Sequence, residues 1–215
     1  MLNLKKNIIL IISFLLMLFF LFLYYYKINP KNINNKKNNI EIKEYNHEKD
    51  FDKILKIIDD NFFWLFSGFS KEKAIADISK TFIEKKILVN ETNKYSDYNI
   101  QVLHFNNELA GFITYYKFID KIGRILFLCI DEKYRRFGFA KILLEKAIKD
   151  LFENNKDIER IFLLTRLENI KAQNLYKKFG FIETERDENL MLEKEPNIFF
   201  ILEKNDYYLN ENKLK

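Results

Sequence analysis

The sequence predicts an α/β domain with a mixed sheet flanked by helices, preceded by one transmembrane helix. Three observations predict it. Residues 8–26 form an apolar stretch, strand and helix patterns alternate from Ile40 to Glu203, and an apolar strand runs directly into a Gly-containing loop and a helix near residue 138.

The apolar stretch comes first. Residues 8–26 read IILIISFLLMLFFLFLYYY, with Ser13 the one clearly polar member. At 1.5 Å per residue the stretch would span roughly 28 Å, close to the hydrocarbon thickness of a bilayer. Tyr24, Tyr25 and Tyr26 fall where an interfacial aromatic belt is expected. A cleaved signal peptide is the rival reading; its apolar region usually runs about 7–15 residues before a small-residue cleavage site. Here Tyr-Tyr-Tyr-Lys-Ile-Asn-Pro follows. That favours an uncleaved, single-pass anchor contacting membrane lipid through residues 8–26. Residues 27–39 lack apolar periodicity and read as a basic polar linker.

Charge is distributed unevenly. The chain carries 36 basic and 31 acidic residues, and residues 1–39 hold six of the lysines and no Arg, Asp or Glu. The remainder therefore has 30 basic against 31 acidic residues. A near-neutral domain lacks the electrostatic footprint of a nucleic-acid binder. The excess lysines instead flank the apolar stretch, where they set topology or touch anionic lipid. Their count leans only weakly toward a cytoplasmic domain.

Ile40–Tyr45 alternates as a first strand. Phe51, Ile54, Leu55, Ile57 and Ile58 follow helical spacing, and Ala74, Ile75, Ile78 and Phe82 mark a second helix. Tyr98–Phe105 and Leu109–Phe118 read as strands around the hairpin turn Asn106-Asn107-Glu108. Arg124–Asp131 is a further strand. Ala140, Leu143, Leu144, Ala147 and Leu151 then line one helix face. Ile158–Arg166 is a buried-type strand, Ala172, Leu175, Tyr176 and Phe179 form a short helix face, and Phe181–Thr184 and Ile198–Glu203 complete the sheet. Residues 40–204 thus form the domain, and 205–215 a C-terminal tail.

Cys129 is the single cysteine, which excludes an intrachain disulfide. Within Ile125–Ile130 it reads as a small buried strand residue, with a reactive thiol as the alternative. His47 and His104 are far apart in sequence, and no cluster at metal-ligand spacing exists. No metal is expected.

The most informative segment is Leu128-Cys129-Ile130-Asp131-Glu132-Lys133-Tyr134-Arg135-Arg136-Phe137-Gly138-Phe139-Ala140-Lys141. A helix N-terminus offers unpaired N–H groups and a positive dipole end, which suits a phosphate. Gly138 frees the backbone, Ala140 keeps the first turn slim, and Arg135, Arg136 and Lys141 add positive charge. An ordinary strand-to-helix turn fits the same residues. The segment resembles the acyl-CoA-binding motif of the GNAT N-acetyltransferase superfamily, as Arg135-x-x-Gly138-x-Ala140. Residues 163–181, LLTRLENIKAQNLYKKFGF, resemble its second signature through Asn169, Ala172, Leu175, Tyr176, Gly180 and Phe181. The two stand in the family's order.

The resemblance implies a mostly antiparallel sheet splayed at its two central strands, 124–131 and 158–166, with acetyl-CoA as cosubstrate in the gap. Main-chain groups at Leu128, Cys129 and Ile130 would pair with the pantetheine arm. Amides from Arg136 through Phe137, Gly138, Phe139 and Ala140 to Lys141 would hold the pyrophosphate, with Arg135 beside them. Asn169 suits the pantetheine amides, and equally an N-cap of the helix that follows. Tyr176 would donate a proton to the departing thiolate, because a phenol near pKa 10 is protonated at neutral pH while a thiol lies near 8.5; a core aromatic is the plain alternative. Asp131 or Glu132 would serve as base through water, or stand as solvated loop carboxylates. Leu164 occupies the position where family members acting on protein N-termini often carry Glu.

The implied activity is acetyl or short-acyl transfer from CoA to an amine by direct attack. A membrane-tethered, non-catalytic acyl-CoA sensor or adaptor is the alternative. Acetyl-CoA is intracellular, so an active domain would face the cytoplasm. The family places acceptor specificity in segments matching residues 51–85 and 185–197, where Phe62, Phe63, Trp64 and Phe66 would line a groove or pack in the core.

Overall fold

The computed structural model describes residues 39–66, 70–88, 95–118, 121–184 and 197–213. The apolar stretch 8–26 and the linker 27–38 lie outside these residues, as does the 185–196 part of the expected specificity segment. Among the described residues no helix is long and apolar enough to cross a membrane. The chain divides between Asn39 and Ile40.

From Ile40 the elements are β1 (Ile40–Glu44), α1 (His47–Asp60), α2 (Phe62–Leu65), α3 (Lys71–Glu84), β2 (Lys86–Leu88), β3 (Tyr95–Phe105), β4 (Glu108–Lys117) and β5 (Ile122–Ile130). A 3₁₀ turn (Glu132–Tyr134) leads into α4 (Phe139–Asn154), then β6 (Arg160–Arg166), α5 (Ile170–Lys178), β7 (Ile182–Thr184), β8 (Asn197–Glu203) and α6 (Lys204–Lys213). The main sheet runs β1-β3-β4-β5-β6-β8-β7, with β2 added to β3. Every pairing is antiparallel except β5 with β6. The mixed, mostly antiparallel sheet is as expected.

Local chemistry sets these boundaries. Asn46 caps α1 by accepting the Lys49 amide, and Ser70 caps α3 by accepting that of Lys73. Asn106 and Asn107 turn β3 into β4 with φ of 52° and 69°. Two successive left-handed residues suit a two-residue hairpin, and Asn tolerates them. Strand alternation sorts side chains to two faces. Leu103, Ala110, Ile113, Tyr115 and Ile125 bury against α4 on one face; Tyr98, Val102, Phe112, Tyr116 and Phe127 bury against α1 and α3 on the other.

One expectation changes, and one element goes unforeseen. The segment expected as a tail is α6, continuous with β8 and held by buried Tyr207 against Phe152 at 5.8 Å. Its polar composition and two tyrosines give no helical stripe to read. α2, a single turn of Phe-Phe-Trp-Leu, also lacks the length for periodicity; it turns out to border the site.

Candidate active site

The site is an opening in the sheet. β5 and β6 pair through three residue pairs only, Ile122↔Arg160, Gly123↔Ile161 and Arg124↔Phe162. Beyond Arg124 the strands part, while β5 stays paired with β4 as far as Gly111↔Ile130. The β5 edge from Ile125 to Ile130 therefore lacks a strand partner among the described residues, and so does the β6 edge from Leu163 to Arg166. A register shift between Thr114 and Tyr115 leaves Leu126 as a bulge on β5. An exposed strand edge of this length is a template for an extended chain bearing amides.

The loop after β5 closes one end of the wedge. Asp131 caps the 3₁₀ turn by accepting the Lys133 amide, and Glu132 is exposed, with its carboxylate 3.9 Å from Arg135. Glu108 accepts hydrogen bonds from Lys133 at 2.8 Å and Tyr134 at 2.5 Å, tying the loop to the β3–β4 hairpin. Lys133 holds the Glu108 carboxyl below its ordinary range. Phe105, Phe137 and Phe139 stack beneath the loop at ring separations of 5.3–5.8 Å.

Gly138 caps α4 with φ 84° and ψ 2°. A side chain there would meet nothing within 4 Å. The amides of Arg136, Phe137, Gly138, Phe139 and Ala140 find no main-chain acceptor among the described residues. Arg136, Phe137 and Lys141 are exposed, while Phe139 is buried. A row of free donors, a positive helix end and open space over a glycine form a cradle that fits a pyrophosphate.

Arg135 also has a partner outside the loop. Its guanidinium donates to Asn61 Oδ1 at 2.8 Å and, through Nε, to the Ile130 carbonyl at 3.4 Å. Asn61 is buried and donates in turn to the Ile57 carbonyl at 2.7 Å. Arg135 thus ties the end of β5 to the α1–α2 corner. On the other strand Arg166 donates to the Phe66 carbonyl at 2.9 Å and lies 4.3 Å over the Phe63 ring. The two arginines hold segment 61–66 between the two parted strands. Sequence spacing gave no hint of Asn61, whose partner is 74 residues away. Asn61→Ala should raise the acceptor KM several-fold while leaving acetyl-CoA affinity within about twofold; steady-state kinetics beside calorimetry check this.

On the opposite side of the wedge, Asn169 caps α5 by accepting the Ala172 amide at 3.3 Å, which leaves its NH2 group for another partner. Gln173 braces the turn by donating to the Leu167 carbonyl at 2.7 Å. Tyr176 is buried, 5.7 Å from Phe200 and 6.0 Å from Phe181 by ring centroids. No described residue hydrogen-bonds its hydroxyl. Burial pushes its pKa upward, and the nearby Cys129 adds to the shift. Cys129 is buried, and desolvation pushes its thiol up to about 12. It is a neutral packing residue and no nucleophile. Tyr176 and Cys129 thus come, one from each of the motifs in the sequence, within electrostatic reach of each other. Phe63 and Trp64 are 58% and 43% exposed, so these two rings line the outside of segment 61–66.

A family model described as "Acetyltransferase (GNAT) family" matches residues 52–181. An N-alpha-acetyltransferase of Sulfurisphaera tokodaii is 38% identical over 66 residues, 29% of this chain and 37% of that protein. A spermine/spermidine N(1)-acetyltransferase of Bacillus subtilis is 32% identical over 103 residues, 45% of this chain and 67% of that protein. The chain thus spans well under half the length of the archaeal relative it matches. Among solved structures, the PaiA N-acetyltransferase of Thermoplasma acidophilum in complex with coenzyme A superposes with a TM-score of 0.56 at 21% identity. That superposition covers 77% of this chain and 99% of the other.

Proposed function

This chain belongs to the GNAT acetyltransferase family; we propose that it is an acyltransferase and transfers an acetyl or short acyl group from CoA to an amine by direct attack within the β5–β6 wedge. The observation that carries this reading is the three-pair β5–β6 ladder opening onto the Gly138 cradle. Acetyl-CoA supplies the activated acyl group. The β5 edge at Leu128, Cys129 and Ile130 receives its pantetheine amides, as a neighbouring strand would. Loop amides 136–140 receive the pyrophosphate, with Arg136 and Lys141 at the rim. The Asn169 NH2 group completes the pantetheine contacts.

The attacking amine must be neutral. For an α-amine this costs about 1 kcal/mol at pH 7, against roughly 4–5 for a lysine-like amine. Asp131 or Glu132 would relay its proton through water to solvent. Tyr176 holds its proton firmly and delivers it to the sulfur as the thiolate departs. Curated relatives that are named N-acetyltransferases favour this over a non-catalytic adaptor. Detergent-solubilised full-length chain should release CoA from acetyl-CoA only when an amine is added. A chain with no acetyl-CoA affinity would overturn the reading.

Residues 8–26 would tether the domain to a membrane, with the acetyl-CoA site on the cytoplasmic side. The full-length chain should remain in the pellet after carbonate extraction; release into the supernatant would remove the tether.

A further inference from the structure

Arg124 is the last β5 residue before the strands part, yet the chemistry described so far makes no use of it. It is 3% exposed. Its Nε and Nη1 have no hydrogen-bond partner, and no carboxylate pairs with it among the described residues. The Phe118 and Phe162 rings flank the guanidinium, 5.5 and 5.6 Å from its central carbon. Tyr116 lies beside it, and Tyr98 follows in the same cross-strand row, Tyr98↔Tyr116↔Arg124↔Phe162. A guanidinium cannot shed its charge. Aromatic faces and phenols solvate it in part, but none supplies a counter-charge, and a buried cation left without one is costly.

Position gives this residue a direction. Tyr98 and Tyr116 belong to the core on the α1–α3 face, while Tyr176 belongs to the core on the α4–α5 face. An acyl group delivered through the wedge past Tyr176 emerges on the α1–α3 side, which segment 61–66 borders. Arg124 stands on that side, two residues from the Leu126 bulge, or roughly 7 Å along the strand. We propose that Arg124 receives a carboxylate carried by the acceptor amine, so that the enzyme acetylates amino carboxylates and discriminates against polyamines. This rests on the transferase reading above. A carboxylate would supply the missing counter-charge and accept a charge-assisted hydrogen bond from one of the two orphaned N–H groups. A polyamine would bring a second cation against a buried one. The carboxylate belongs either to a free amino acid or to an acidic side chain at a peptide N-terminus.

The test compares matched acceptors with the full-length chain: free amino acids, their carboxamides, peptides beginning with Asp or Glu, the same peptides as Asn or Gln, and spermidine. We expect kcat/KM at least tenfold higher for one carboxylate series than for its amide series, with spermidine lowest. Whichever series shows the gap identifies the carboxylate's source. Arg124→Gln should erase the gap without changing acetyl-CoA affinity, and Arg124→Lys should restore part of it. Amides or spermidine used as well as carboxylates, or a gap that survives in Arg124→Gln, would overturn the proposal. A direct binding arm separates it from the transferase reading. An N-acetyl amino acid or acetyl-peptide product should bind the CoA-loaded chain at least tenfold more weakly after Arg124→Gln, as read by Trp64 fluorescence. Equal binding sinks the Arg124 assignment, whereas acetyl-CoA binding without turnover of any amine sinks the transferase. Thermal melting of both variants confirms that they fold; should Arg124→Gln fail to fold, Arg124→Lys carries the comparison.

Discussion

Gly138→Glu should abolish acetyl-CoA binding, raising Kd more than 100-fold in calorimetry while the domain stays folded. The two halves of that expectation have separate origins. A side chain at position 138 meets nothing within 4 Å, so packing tolerates it. The backbone φ of 84° does not favour any side chain, and holding an L residue there costs roughly 1–2 kcal/mol. That is a modest shift in melting temperature for a domain of this size.

Binding suffers far more. The open space over Gly138 is where the loop amides and the α4 dipole converge, so a carboxylate placed there mimics and displaces the phosphate. It also repels the pyrophosphate at short range. Gly138→Ala separates the effects. It carries the same backbone strain with one methyl in the cradle, so an intermediate loss is expected, about tenfold. A Glu variant that binds acetyl-CoA normally would place the pyrophosphate elsewhere.

What the sequence discloses follows from which interactions are local. The loop 135–141 and the run 163–181 are legible because their chemistry needs particular residues at short spacing: a glycine where φ turns positive, a cap at Asn169, a Tyr two turns along the same helix. The α4 face is legible because a helix buried on one side repeats its apolar residues at fixed intervals. Segment 61–66 is opaque for the opposite reason. Four helical residues carry no periodicity, and their position depends on Arg135 and Arg166, 74 and 100 residues distant from their partners. The same distance explains Arg135. Its place in the motif points to phosphate, and only the fold reveals Asn61 as its partner. Arg124 did leave a trace, as the one charge within the apolar strand Ile-Gly-Arg-Ile-Leu-Phe-Leu-Cys-Ile. A lone charge in such a run asks for a partner, but the flanking rings and the missing carboxylate are properties of the assembled sheet.

Tyr176→Phe should slow turnover by about 10²–10⁴-fold while leaving acetyl-CoA affinity unchanged, the range expected for losing a positioned general acid. The hydroxyl has no described protein partner, so its removal breaks no internal hydrogen bond, and the ring keeps its packing against Phe181 and Phe200. Stability should change by about 1 kcal/mol or less. The pH dependence adds a second reading. Burial disfavours the phenolate, so the folded pKa stands above the ordinary value near 10. Tyr176 therefore stays protonated throughout the working range and contributes no alkaline decline to kcat below pH 10. Rates should rise as the acceptor amine loses its proton and then level, in the wild type and in Tyr176→Phe alike. The same shift stabilises the fold below pH 10, where both states hold the proton. That contribution is lost as pH climbs from 10 toward the raised folded value, because the unfolded phenol ionises first. Pre-steady-state CoA release across pH 6–10 tests the acid role directly. Unchanged turnover in Tyr176→Phe removes Tyr176 from proton delivery, and weakened acetyl-CoA binding makes the phenol a cofactor contact instead.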